Sequence, residues 1–174
     1  TLGLFATKLT DTNPASLRFI LHEREGGRDG SLSCSAVMFM AEDRAHRLYV
    51  CTEGSGLNMV APGVSLTSKD MDFRHFDRRD LPEDFLLSAF AYGRYMWFVG
   101  TNDLTGVDVE HGLSLYFNHR TWTDELIFSD AQPLRWKGGK WLMGMMDGLV
   151  LMDMGRLTKR TKAPHIVLTR VSVE

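Results

Sequence analysis

Short alternating apolar runs, turns rich in Gly, Asn and Asp, and one strand-turn-strand unit repeated at blade-sized intervals predict an all-β fold. The units read as four-stranded antiparallel blades of a partial β-propeller. Alternation points to strands because successive side chains leave a strand on opposite faces. The turns carry residues for which positive φ costs little. No long stretch shows helical periodicity.

Along the chain, TLGLF at residues 1–5 reads as the end of an earlier unit, and SLRFILH at 16–22 as an outer strand. The first whole unit, residues 32–60, has an apolar first strand at 36–40, a second strand LYVCT and the turn TEGSGLN, with DFRHFD at 72–77 outside it. The second unit, residues 85–109, repeats the order with a first strand at 86–90, then MWFVGT and TNDLTGV, and LSLYFNH at 113–119 outside. A third, more diverged unit spans 125–153, with a first strand expected at 126–128, then KWLMG and MMDGLV. Aligning the units on Gly3, Gly56, Gly106 and Gly148 gives steps of 53, 50 and 42 residues, each with room for four short strands. Tyr49, Trp97 and Trp141 occupy the second strand of each unit, where stacked blades need bulk between them, so all three are expected to be buried there.

The composition of the 174-residue chain, 44% hydrophobic, suits one globular domain with a core. Its formal charge of −2, from 20 basic and 22 acidic residues spread along the chain, gives no footprint for nucleic acid or anionic lipid. No apolar run reaches the roughly 18 residues of a membrane span. Cys34 and Cys51 have no C-x-x-C or zinc-ligand spacing and are expected to be free, strand-borne thiols. The GSG at 54–56 lies between strands and reads as a turn rather than a phosphate loop. Asp70 and Asp72 form a D-x-D without the further ligands of a calcium loop, the six histidines show no metal spacing, and there is no G-x-S-x-G elbow. Neither catalytic residues, nor a metal, nor a cofactor is expected. Met145 and Met146 read as core filling before binding surface.

The stretches AEDRAHRLYVCTEGSGLNMV, YGRYMWFVGTNDLTGV and GGKWLMGMMDGLVLMD resemble the two-component regulator propeller repeat of the periplasmic sensor halves of Bacteroidetes hybrid two-component systems. Tyr49 and Cys51 depart from that pattern in the first unit, as does Leu104-Thr105, inserted before Gly106, in the second. RRDLPEDF at 78–85 is similar to the family's loop between blades, with its Gly missing. APHIVLTRVSVE at 163–174 resembles the first strand of the three-tyrosine immunoglobulin-like domain that follows such propellers. The resemblance implies a partial propeller over 1–160, of about three and a half blades, and a linker with the first strand of a β-sandwich over 161–174. It also implies a periplasmic, non-enzymatic sensor module with a carbohydrate ligand, any kinase lying outside this chain.

In a propeller whose innermost strand comes first, the turns between second and third strands share a face with the loops leading into each next blade. Glu53, Asn58, Asn102, Asp103 and Asp147 are assigned to those turns, and Arg78, Asp80 and Asp84 to the lead-in loops. Their polar side chains suit an oligosaccharide, and they form the candidate ligand-binding set. Two other functions compete: an enzyme of the streptogramin-lyase-like type, which needs an acid/base pair on that face, and a repeat scaffold without a ligand. Both ends of the chain look cut inside the repeat pattern. Open apolar blade faces are therefore expected to drive self-association, or to be closed by further blades.

Overall fold

In a computed structural model of the chain, the described residues are 3–10, 13–76, 81–82, 84–118, 120–122 and 126–159. They form a nearly all-β series of antiparallel sheets. β1 (Leu4–Thr7) pairs with β2 (Phe19–His22). β3 (Val37–Glu42), β4 (Leu48–Thr52), β5 (Leu57–Val60) and β6 (Arg74–Phe76) form a four-stranded sheet in sequential order. β7 (Leu86–Tyr92), β8 (Tyr95–Gly100), β9 (Leu104–Asp108) and β10 (Leu113–Phe117) form a second of the same kind. β11 (Leu134–Arg135), β12 (Lys140–Gly144) and β13 (Leu149–Asp153) form a three-stranded sheet, followed by the one-turn helix α1 (Met154–Leu157).

The expected meander of four antiparallel strands is thus present twice. Both copies shift register at the same place, between Val37 and Phe39 in β3 and between Leu86 and Ser88 in β7. The first strands β3 and β7 pack against each other, so the two four-stranded sheets meet along their first strands.

Alternation along the second strand explains how one sheet serves two interfaces. On β8, Phe98 and Met96 face the first four-stranded sheet and join Tyr49, Cys51 and Leu57 in one core cluster. Trp97 and Val99 face the other way and meet Trp141, Met143 and Met152 of the third sheet. Tyr49 and Trp97 are fully buried and Trp141 nearly so, as expected. Their roles differ, however. Tyr49 and Trp97 point toward the following sheet, whereas Trp141 points back, and Phe90 lies 4.1 Å from its ring centroid and 6.5 Å from that of Trp97. One interface therefore takes both tryptophans.

Two further readings are corrected. The first strand of the third unit was expected at 126–128, but the strand that pairs with β12 is β11, with Leu134 opposite Leu142. Phe128 instead makes a single bridge to Met145, and its N–H donates to the Thr101 carbonyl at 2.8 Å, tying it to the preceding sheet's turn. Gly106 is not the counterpart of Gly56. Gly56 has φ 70° just before β5, whereas Gly106 lies within β9, under the Trp97 indole.

Cys34 is half-buried and Cys51 fully buried, and both are free. The strand expected within 161–174 lies outside the described residues.

Candidate functional site

The turns between second and third strands do sit against the lead-in to the next sheet. The Gly56 N–H donates to the Asp84 carbonyl at 3.0 Å, and Phe128 bonds Thr101 in the equivalent place one sheet on. On this face Glu53, Asn102 and Asp147 are exposed and Asp84 is half-buried. Asn58 lies within β5 rather than in a turn, fully buried. Its Oδ1 accepts from the Ser33 N–H at 2.9 Å, and its Nδ2 donates to Ser33 Oγ at 2.9 Å, tying the segment ahead of β3 to the sheet. Asp103 is buried too, and its Oδ2 accepts from Thr105 Oγ1 at 3.1 Å. A Cβ on Gly100 would stand 1.9 Å from Asp103 Oδ1, so glycine there lets the carboxylate fold over the backbone. Arg78 and Asp80 lie outside the described residues.

At the opposite ends of the strands, between the two four-stranded sheets, lies a groove of about 330 Å³. Three turns build it. The β3–β4 turn supplies Asp43, Arg44 and Arg47, the β7–β8 turn Arg94, and the β9–β10 turn Glu110. Asp43 organises its own turn, Oδ1 accepting from the Ala45 and Arg47 N–H groups at 2.9 and 3.0 Å. Its Oδ2 accepts from Arg47 Nε at 2.6 Å and from the Tyr49 hydroxyl at 3.0 Å. Burial disfavours the Asp43 charge, but the hydrogen bonds from Arg47 and Tyr49 outweigh it and hold the carboxyl below the ordinary range. Burial, together with the neighbouring Asp43 charge, pushes the Tyr49 hydroxyl far above its usual value, so it stays a donor.

A second pair repeats the arrangement. Arg94 Nε lies 2.6 Å from Asp108 Oδ2, and His111 Nδ1 lies 2.9 Å from the same oxygen. Asp108 is buried, and burial raises its pKa. The His111 hydrogen bonds and the Arg94 charge more than reverse this and leave the carboxyl below its usual value. Arg94 also stacks on Tyr95, its guanidinium carbon 5.5 Å from the ring centroid. Arg47 Nη2 reaches toward Glu110 at 3.7 Å, linking the two sheets across the groove. None of Asp43, Arg44, Arg47, Arg94, Asp108, Glu110 and His111 was among the sequence-based candidates. The signal was present in the turns AEDRAHR and YGRY, but polar residues in a hairpin turn look alike whether or not they border a cavity. Among the described residues, no group of three or more His, Cys, Asp and Glu could hold a metal ion.

No protein-family model matches the chain, and no curated protein matches it in sequence. Among solved structures, it is similar to the extracellular domain of a putative hybrid two component system from B. thetaiotaomicron. The TM-score is 0.58 over 99% of this chain, at 13% sequence identity. The likeness is one of fold, and the chain spans 29% of the length of that structure.

Proposed function

We propose that the chain forms part of an extracytoplasmic sensing region of a two-component signalling protein, and that it binds a carbohydrate rather than transforming one. The observation that carries this reading is the match of 99% of the chain to the extracellular domain of a hybrid two component system. The groove between the sheets supports it. Binding sites gather in clefts between packed units, where a few fixed polar groups orient a ligand against apolar walls. In this reading the compartment is the periplasm, and neither nucleic acid nor the membrane is a direct partner. No helix among the described residues is long and apolar enough to cross a membrane.

Isothermal calorimetry of the 174-residue chain against a panel of neutral and acidic oligosaccharides tests the reading. Saturable binding of at least one saccharide is expected. Hydrolysis or elimination of a bound saccharide would refute the non-enzymatic part, and no binding across the panel would refute the carbohydrate part.

A further inference from the structure

Both arginine–aspartate pairs of the groove share one geometry, and it points to a ligand chemistry. In each pair the carboxylate is the deeper partner. The Asp108 side chain is 2% exposed against 50% for Arg94, and Asp43 9% against 17% for Arg47. The acceptors are sunk in the wall, while the guanidinium groups border the groove. Arg47 is hydrogen-bonded to Asp43 through Nε, whereas Arg94 Nε is in ion-pair contact with Asp108 Oδ2 at 2.6 Å. Arg94 is held twice, by Asp108 and by the Tyr95 ring. Arg44, on the rim, forms no ion pair among the described residues and adds an unneutralised positive charge. Among the described residues, Glu110 is the one acidic side chain at the rim whose charge is largely in water, at 62% exposure. Beneath these groups, Ala91 and Val107 contribute an apolar floor.

A guanidinium anchored beside a buried carboxylate and an aromatic ring presents its outer N–H donors in the plane and spacing of a carboxylate or sulfate. Because the pairing is already made, binding costs little further ordering. We infer that the groove between the two four-stranded sheets is a binding site for an acidic saccharide. Arg94 and Arg44 grip the anionic group, and the sugar ring lies over the apolar floor. The inference rests on the carbohydrate reading above and deepens it.

The test is calorimetry of the whole chain with a glucuronyl disaccharide, its neutral glucosyl counterpart and a sulfated monosaccharide. It is run on the parent, Arg44→Ala and Arg94→Lys, with circular dichroism checking that each variant is folded. Arg94→Lys keeps the charge and removes the fork, so a loss there reports bidentate recognition and not mere field. The glucuronyl sugar is expected to bind at least about tenfold tighter than the glucosyl one, as charge-assisted contacts imply, and to weaken as salt rises. Each variant should lose about tenfold of that affinity. Tighter binding of the sulfated sugar, with the same losses, would support the site and reassign the anion. Neutral-sugar binding that ignores both variants would overturn the acidic site while the carbohydrate reading stands. Failure of all three sugars would overturn the site, and the wider panel would then decide the carbohydrate reading separately.

Discussion

A methyl group added at Gly106 should cost stability, and the cost should vanish when Trp97 is made smaller. A Cβ at Gly106 would stand 3.0 Å from Cη2, Cζ2 and Cζ3 of the Trp97 indole, tighter than ordinary van der Waals contact. The ring has little room to yield. It is fully buried, with Phe117 stacked at 6.1 Å and Phe90 at 6.5 Å between centroids. Overpacking by one methyl in a filled core costs about 1–3 kcal/mol. Replacing glycine also restricts the unfolded chain, which returns about 0.4–1 kcal/mol. Gly106→Ala is therefore expected to destabilise by about 1.3 kcal/mol, the difference between the midpoints of those two ranges. Trp97→Phe removes the outer ring atoms that the methyl meets, at a cost below the about 3–5 kcal/mol of truncation to alanine. In the double variant the methyl occupies vacated space, so the cycle should show a favourable coupling equal to the relieved overpacking, about 1–3 kcal/mol. Urea unfolding of the parent, both single variants and the double variant gives all four corners, provided each transition is two-state. Additivity within about 0.5 kcal/mol would refute the contact between Gly106 and the indole.

Four other outcomes follow from the structure. His46 has φ 60° where the neighbouring turns use Gly93 and Gly139, so His46→Gly should raise the urea midpoint, by about 0.5 kcal/mol of relieved left-handed strain; a loss would mean that its contact with Glu42 matters more. Burial pushes the Cys51 thiol up to about 12, so at pH 8 a disulfide-exchange reagent should titrate Cys34 in the native chain and Cys51 only after denaturation; a blocked pair in the denatured chain would show a disulfide instead. Asp43 and Asp108 titrate below the ordinary 3.8, so their contribution is complete above that value and is lost as pH falls through their lowered values; Asp108→Asn should flatten the acid limb of the melting temperature between pH 5 and 2, and an unchanged limb would contradict the pairing with Arg94 and His111. Leu134, Leu149 and Leu151 of the third sheet and Phe5 and Phe19 of the first are exposed, so light scattering should show concentration-dependent association; a monomer that binds no hydrophobic dye would refute this.

Those exposed side chains also mark how far the sequence could be read. Tyr49, Cys51, Phe98 and Trp97 alternate in strands with a clear period of two, and the structure buries each one against a neighbouring sheet. The third unit was harder because the apolar run ahead of its second strand, around Phe128, is used differently. That segment hydrogen-bonds the preceding sheet's turn and, through Ile127 and Ser129, the far end of its own second strand at Gly144 and Met146, while the shorter, more polar Leu134–Arg135 pairs with the body of that strand. Aligning Trp97 with Trp141 was equally natural, since both stand three residues before a glycine. The structure turns them toward each other across one interface, because a shift of one residue in a strand exchanges its faces.

The groove was illegible for a different reason. Its charged residues come from the equivalent turns at positions 43–47 and 94 and from 108–110 at the end of β9 and the turn after it, and nothing in the sequence shows that these stretches meet. What joins them is the stacking of one sheet on the next, which brings successive hairpin turns side by side at the same ends of the strands. Among the sequence-based candidates, Asn58 and Asp103 are buried and already hydrogen-bonded to Ser33 and Thr105. A polar residue beside a tight turn is first required to satisfy buried backbone and side-chain groups, and only what remains can meet a ligand. Arg94 neutralises the buried Asp108 by an ion-pair contact and is itself half-exposed on the groove, where its outer donors can meet a ligand. It is the residue of the groove with which a binding experiment has most reason to begin.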